Sequence, residues 1–355
     1  MAGNVRDRRR RRRSRARFGN PELAELTDDE LLDLRFCDLG IGLEDTPLEE
    51  RIDQLYRELE AKRLDFRPHF WLSQEWFTPD GVPGVAIPFY LADSRLMKLE
   101  EKLMLEVEGG SAEWCMRILR HEAGHAIDNA YRLRRRKCYR EVFGNVSEPY
   151  PDSYNPRPYS RSYVINIDMW YAQSHPVEDF AETFAVWLKP RSRWRQIYAG
   201  WPALKKLHFV NELMARLREE QPSVRTRRHE EPLRLLKMTL REHYDQKRRH
   251  YGLESGNAYD HELLRLFTAE PRNGNGTSAA TFLRRARKRL RRDVSEWTGH
   301  YQYTIDQVLE EMIARCQVLN LRVDRDPVEV ERDTLVVLTM HTMNQIQDEA
   351  HKVAL

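Results

Sequence analysis

The sequence predicts an α+β protein in which helices far outnumber strands. Helical patterns recur along the 355 residues, and two short apolar runs at 69–72 and 85–91 have the length of strands. Pro-Asp-Gly and Val-Pro-Gly turns separate the two runs, and only helical patterns follow residue 220. Hydrophobic residues make up 41% of the chain, enough for a packed core, while 32% charged residues predict a large solvated surface.

The first 20 residues predict a basic tail that does not join a folded core. Residues 1–17 contain nine arginines and one aspartate, and a run of like charge repels itself and stays disordered. The tail is either simply solvated or binds a polyanion such as RNA, DNA or acidic lipid. No apolar segment follows the arginines, so a secretory signal peptide is not supported, and no apolar run has membrane-spanning length.

Residues 21–219 predict a mixed domain that begins with helices and continues with the two strands. Pro47 opens a helix that runs to about Lys62 and carries four apolar residues on one face. Pro88 lies inside the second strand candidate and confines it to a sheet edge, because proline cannot donate a ladder hydrogen bond. Such an edge either only completes the sheet or holds an extended peptide by strand addition.

A proline-free helical pattern from Ser111 to about Arg136 contains the sequence His-Glu-Ala-Gly-His. His121 and His125 are four residues apart, so on a helix both imidazoles extend from one face toward the same point. Neutral imidazole is a good zinc ligand, and two at this spacing leave positions for a third ligand and a water. Glu122 projects about a third of a turn away, where it can accept a proton from that water without binding the metal.

The third zinc ligand has to come from another part of the chain. The motif with three histidines on one segment requires glycine at position 128 and histidine at position 131, and this sequence has Asp128 and Tyr131. Asp128 lies one turn after His125, where it either orients a neighbouring side chain or forms a salt bridge. In the first role, Asp128 would orient a zinc ligand without binding the metal itself.

A second predicted helix, with Ser174 or His175 as its cap, offers the missing ligand. Pro176 marks its first position, and Glu178 and Glu182 are four residues apart on one face. Two carboxylates at this spacing can supply one zinc ligand, Glu178, and one acceptor, Glu182, for the second N–H of a ligand histidine. The alternative is that both are surface glutamates of an ordinary amphipathic helix.

The segments HEAGHAIDNAY and YAQSHPVEDFAETFAVWL resemble the bacterial family of putative zinc-binding metallopeptidases, of the gluzincin type. This resemblance covers roughly residues 37–200 and implies a zincin-like domain in which His121, His125 and Glu178 bind zinc. The second segment also resembles the catalytic domain of anthrax lethal factor, a zinc endopeptidase. There a tyrosine seven residues before the ligand glutamate stabilises the oxyanion, which implies that role for Tyr171.

Residues 220–355 predict a helical accessory region with a basic cluster. The helical patterns cover 232–250, 259–267, 279–297, 303–318 and 327–352. Seven basic residues between Phe282 and Arg292 form either a solvated helix face or a surface for nucleic acid or an acidic partner. The four scattered cysteines show no CxxC pairing, which predicts reduced thiols in a cytoplasmic protein.

These features together predict a zinc-dependent metallopeptidase that hydrolyses a peptide or protein substrate. A zinc-activated water would attack the peptide bond, with Glu122 as the general base. Two other classes stay open: a zinc-containing binding protein without turnover, and a nucleic-acid-associated protein that acts through its arginine-rich segments. Strong, salt-sensitive polyanion binding that survives loss of zinc would indicate the last of these.

Overall fold

The computed structural model describes residues 18–151, 154, 157, 160–168, 170–251, 259–269 and 277–348. The chain divides into two compact units. The first runs to His243 except for residues 104–106, which belong with the second unit that starts at Tyr244. Helices and one small sheet make up the regular structure of these described ranges, so the predicted α+β class is confirmed. The arginine tail over residues 1–17 lies outside the described residues.

The first unit combines a two-stranded sheet with helices, and its strand Gly84–Pro88 contacts the helix that spans Ala112–Tyr131. Its described helices are α1 (Pro21–Glu25), α2 (Asp28–Leu32), α3 (Pro47–Ala61), α4 (Ser94–Met104), α5 (Ala112–Tyr131), α6 (Lys137–Phe143), α7 (Pro176–Leu188), α8 (Trp194–Ile197) and α9 (Ala203–Leu217). Strands β1 (His69–Ser73) and β2 (Gly84–Pro88) lie between α3 and α4 in the chain. Single 3-10 turns occur at Phe36–Asp38, Phe89–Ala92, Leu133–Arg135, Tyr171–Gln173 and Leu233–Leu235.

Strands β1 and β2 are parallel, and their last pair joins Ser73 to Pro88. The prediction that the second strand extends to residue 91 is wrong, because the chain turns into a 3-10 helix directly after Pro88. Proline has no N–H to continue the ladder, which agrees with a strand end at this position. On the other side of β2, the N–H of Ala86 donates to the carbonyl oxygen of Phe77 at 2.8 Å, so this edge is partly paired.

Helix α5 is shorter than the sequence predicted. Ser111 caps its start by accepting a hydrogen bond from the N–H of Trp114, as expected for a serine at this position. The helix ends at Tyr131 and not near residue 136, because Arg132 adopts a left-handed conformation with φ of 52°. The Asp128 carboxylate also accepts a hydrogen bond from the backbone N–H of Arg134, which turns the chain away from the helix axis.

Helix α7 is buried from Val177 to Leu188 and packs against α5. Its start matches the prediction: the ring nitrogen Nδ1 of His175 accepts from the N–H of Val177, and Pro176 is the first helical residue. The predicted apolar positions Phe180 and Phe184 have no exposed surface. The polar residues that α5 and α7 carry on their facing sides are therefore enclosed by apolar core.

The first unit includes the chain that follows α9. The N–H of Val224 donates to the carbonyl oxygen of Ala130, and the indole N–H of Trp71 donates to the carbonyl oxygen of Glu230. The division between the units therefore falls at residue 243, later than the boundary predicted at 219.

The helix predicted over 232–250 begins only at Leu240, where α10 (Leu240–Tyr251) starts. Before it, the carbonyl oxygens of Leu236 and Met238 accept hydrogen bonds from the N–H groups of Cys37 and Phe36. These carbonyl groups are used by another part of the chain, and a helix over the same residues would compete for them.

The second unit is helical and has its own apolar core. Its later helices are α11 (Asp260–Leu266), α12 (Ala279–Thr298), α13 (Gln302–Val318) and α14 (Pro327–Asp348), close to the predicted spans. Leu263, Leu283, Leu309 and Val330 contribute to the core, one from each of these helices. Among the described residues no helix is both long and apolar enough to cross a membrane, and all four cysteines are free.

The predicted basic cluster on α12 is largely ion-paired within the second unit. Arg287 and Arg291 both contact the buried carboxylate of Asp306, Arg289 pairs with Glu331, and Arg292 pairs with Asp293. Four of the seven basic residues of the cluster therefore pair with acidic residues of the same unit.

Candidate metal centre

Three ligand-type side chains from α5 and α7 meet in the first unit. His121 Nε2 and His125 Nε2 are 3.0 Å apart, and Glu178 Oε2 lies 3.1 Å from each of them. The exposed fractions of His121, His125 and Glu178 are 2%, 9% and 4%. The structure thus brings together the three residues that the sequence predicted as zinc ligands.

The spacing of the three atoms suits a tetrahedral zinc ion. Ligand atoms about 2.0 Å from zinc at tetrahedral angles are about 3.3 Å apart. The observed separations of 3.0–3.1 Å are close to this value. Two imidazole nitrogens and a carboxylate oxygen are also donors that zinc prefers, and three protein ligands leave a fourth position open. The residues present therefore fit zinc.

The charges around the cluster favour a bound cation. Burial disfavours a charged imidazolium, yet hydrogen bonds to Glu178 and Glu182 outweigh burial and hold the pKa of His121 well above its usual value. Burial likewise opposes ionisation of Glu178, but the imidazoles of His125 and His121 hold the pKa of its carboxyl well below the usual range. The carboxylates therefore draw positive charge into the cluster, which a divalent metal ion would provide.

Glu182 contacts the side of the His121 ring that does not face Glu178. Its Oε1 lies 2.8 Å from His121 Nδ1, and the carboxylate also accepts from the backbone N–H groups of Asn166 and Ile167 and from the Asn166 side chain. A proton on Nδ1 that is donated to Glu182 leaves Nε2 of His121 free to bind a metal. The fully buried Glu182 thus contacts Nδ1 of His121, the ring nitrogen that does not face Glu178.

Glu122 lies beside the ligands and is held by a residue from the loop between the strands. The Thr78 hydroxyl donates to Glu122 Oε2 at 2.7 Å, and Glu122 is only 7% exposed. Sequence reasoning missed Thr78, because it is 44 positions away and belongs to no recognised motif. The carboxylate that was predicted to act as a base therefore has one fixed oxygen.

Tyr171 lies in the 3-10 turn directly before α7, with its ring against His121. The two ring centroids are 5.5 Å apart at an angle of 58°. Burial, and then the charges of Glu178 and Glu122, raise the pKa of the Tyr171 hydroxyl well above its usual value. Tyr171 therefore keeps its proton, which is the form that an oxyanion donor needs.

Tyr150 is a second phenol at the cluster, and sequence reasoning missed it. Its hydroxyl donates to Glu178 Oε1 at 2.8 Å, and its ring stacks on His175 with centroids 4.0 Å apart. The side chain is 48% exposed, so it connects a buried ligand with the surface. The one sequence signal was the tyrosine-rich composition of the segment before α7, which does not say which tyrosine reaches the ligands.

Asp128 takes the second of its two predicted roles. Its carboxylate is buried and lies 2.6 Å from the guanidinium Nε of Arg134. Its hydrogen bonds within the described structure go to Arg134, and none reaches a ligand histidine. Asp128 therefore stabilises the end of α5 and does not orient a zinc ligand.

Residues 116–199 match the model of the family described as "Putative zinc-binding metallo-peptidase". The matched segment contains the three ligand-type residues as well as Glu122 and Tyr171. Over this segment the chain is similar to a zinc-binding metallopeptidase family, which supports the predicted metallopeptidase class and the choice of zinc. Comparisons with curated proteins and with solved structures give no match.

Proposed function

We propose that this protein is a zinc-dependent metallopeptidase of the gluzincin type with a zincin-like domain. The observation that carries the proposal is the triangle formed by His121, His125 and Glu178, with 3.0–3.1 Å between the ligand atoms. Glu122 lies next to that triangle on the same helix, which is the arrangement needed for metal-assisted hydrolysis. The similarity of residues 116–199 to a metallopeptidase family supports the same class.

Bound zinc would polarise the substrate carbonyl and acidify a water molecule. Glu122 accepts the proton of the attacking water and passes it to the leaving amine. Thr78 occupies Glu122 Oε2, so Oε1 is the oxygen available for this transfer. Glu182 holds the His121 tautomer throughout, because its acceptor oxygens are fixed by the backbone of Asn166 and Ile167.

Tyr171 donates a hydrogen bond to the oxyanion that develops on the substrate carbonyl. Its neutral hydroxyl and its contact with His121 support this role, together with the resemblance to the lethal factor segment. Tyr150 is a second donor beside the ligands, and it holds Glu178 Oε1. The substrate is a peptide or protein. An extended substrate chain would pair with the part of the β2 edge that does not pair with Phe77.

A zinc-binding protein without turnover would have the same ligand triangle but no need for a base or an oxyanion donor. Glu122 and Tyr171 are both present beside the ligands, which favours the enzyme. A role in binding nucleic acid would depend mainly on the arginine tail, because four of the seven basic residues of the cluster on α12 are ion-paired. Binding of a polyanion by that tail does not conflict with peptidase activity of the same protein.

The decisive experiment compares wild type with Glu122→Gln on a peptide library derived from a proteome. Wild type should produce new N-termini that Glu122→Gln does not, while both proteins hold about one zinc per chain. His121→Ala, His125→Ala and Glu178→Ala should each lose metal. Zinc-loaded wild type that produces no new termini would show a binding protein, and equal cleavage by Glu122→Gln would show that Glu122 is not the base.

A further inference from the structure

The general base proposed above is held by one side chain outside the recognised motifs. Thr78 Oγ1 lies 2.7 Å from Glu122 Oε2, and its distance to the Glu122 backbone carbonyl oxygen is 3.3 Å. A hydroxyl has one proton, and the shorter contact to the charged carboxylate is the stronger bond. The other carboxylate oxygen, Oε1, makes no hydrogen bond to any residue in the described ranges. Thr78 thus fixes one oxygen of Glu122 and leaves the other available.

Thr78 is itself fixed relative to the helix that carries Glu122. It begins the loop 78–82 between β1 and β2, and the side-chain amide of Asn129 donates to two carbonyl oxygens of that loop. These are the oxygens of Pro79 at 2.9 Å and Val82 at 3.0 Å. Asn129 is 6% exposed and belongs to α5, so a buried side chain of the same helix holds the loop.

A second contact attaches the loop at the end of α5. Arg134 donates to Asp80 at 2.9 Å and is held in turn by the buried carboxylate of Asp128. Next to the loop, the carbonyl oxygen of Phe77 accepts from the N–H of Ala86 in β2. The loop is therefore tied to both α5 and β2, and the Thr78 hydroxyl has a defined position.

We infer that Thr78 is a positioning residue for Glu122 and acts on catalysis only through that carboxylate. This inference rests on the proposed function. A general base has to lie within hydrogen-bonding distance of the proton that it accepts, and a glutamate has three rotatable side-chain bonds. Fixing Oε2 to an anchored loop removes most of that freedom and keeps Oε1 directed at the reacting water. The ligand triangle does not involve Thr78, so metal binding is independent of it.

The test compares Thr78→Val with Thr78→Ser in steady-state hydrolysis of a peptide found in the library experiment. Valine has the shape of threonine without the hydroxyl, whereas serine keeps the hydroxyl. Thr78→Val should lower kcat about tenfold or more with KM within about twofold of wild type, and Thr78→Ser should keep most of the rate. Zinc content should be unchanged in both variants. Ser73→Ala is the control, since the Ser73 hydroxyl donates to the carbonyl oxygen of Glu231 and not to Glu122.

A double-mutant comparison separates positioning from an independent effect. In the Glu122→Gln background, Thr78→Val should change the residual rate less than twofold, because the base on which it acts is already gone. An equal loss in both backgrounds would overturn the inference, as would a wild-type kcat in Thr78→Val or a loss of zinc from it. If Glu122→Gln itself hydrolyses like wild type, Glu122 is not the base and that part of the proposed function fails instead, so the two failures are distinguishable.

Discussion

Gly124 and Ala181 lie so close together that α5 and α7 meet through their backbones. A Cβ atom on Gly124 would be 2.9 Å from the Cα of Ala181 and 3.2 Å from its carbonyl oxygen. Gly124 stands between the two ligand histidines, and Ala181 stands between Glu178 and Glu182. The absence of a side chain at Gly124 therefore sets how closely the ligands from the two helices approach.

Gly124→Ala should weaken both zinc binding and the fold. The added methyl group meets backbone atoms, which cannot rotate away, so the two helices have to separate by several tenths of an ångström. We expect a loss of about 1–3 kcal/mol in the free energy of unfolding and a lower affinity for zinc. Chemical denaturation of the metal-free protein and zinc titration against a competing chelator measure the two effects.

Gly42→Ala is the matched control for this substitution, because a Cβ there meets no atom within 4 Å. It should change neither the free energy of unfolding nor the zinc affinity noticeably. Unchanged zinc affinity in Gly124→Ala would show that the helix contact does not set the ligand spacing.

Glu182→Gln should lower zinc affinity, whereas Asp128→Asn should not. Glu182 fixes the tautomer of His121, and loss of such a partner typically costs 10–100-fold in metal affinity. Asp128 pairs with Arg134, so its neutralisation breaks a buried ion pair and destabilises the fold by about 3 kcal/mol. Zinc titration and denaturation of both variants separate the two effects, and equal zinc affinities would contradict the role assigned to Glu182.

Tyr171→Phe should keep the fold and zinc but lose about tenfold to a thousandfold in turnover, because an oxyanion donor acts mainly in the transition state. Kinetics with zinc analysis on the same samples provide the measurement. Tyr150→Phe is the comparison: its hydroxyl bonds to Glu178, so its loss should affect zinc affinity more than turnover. The reverse pattern would identify Tyr150 as the oxyanion donor.

Deletion of residues 1–17 should leave turnover of a short neutral peptide unchanged. The nine arginines precede the first apolar pattern of the chain and cannot form a core. The deletion should also reduce salt-dependent binding to a polyanion such as heparin or single-stranded RNA. A large drop in turnover on the neutral peptide would mean that the tail belongs to the active site.

Asp306→Asn should destabilise the second unit. Asp306 is 3% exposed and contacts both Arg287 and Arg291, so loss of its charge leaves two partly buried guanidinium groups without their shared partner. Breaking a buried ion pair in this way typically costs about 3–5 kcal/mol. Glu310→Gln is the control, because Glu310 is 54% exposed and should contribute less than about 1 kcal/mol. Denaturation of the full chain measures both.

The sequence alone was sufficient for features that depend on local spacing. The intervals between His121 and His125 and between Glu178 and Glu182 place side chains on one helix face whatever the rest of the chain does. The start of α7, with His175 as its cap and Pro176 as its first residue, is local for the same reason. Element ends were less predictable: α5 stops where Arg132 adopts a left-handed conformation, and β2 stops at Pro88, which has no N–H to continue the ladder.

Only the tertiary structure decided which side chains meet across the helices and loops. Glu178 faces Nε2 of both histidines while Glu182 faces Nδ1 of His121, a distinction that depends on how α7 packs on α5. Thr78 and Tyr150 reach the site from loops, 44 and 28 positions from the residues they contact. Loops have no periodicity that would reveal such contacts, so the partners of Glu122 and Glu178 follow from three-dimensional packing and not from the order of residues.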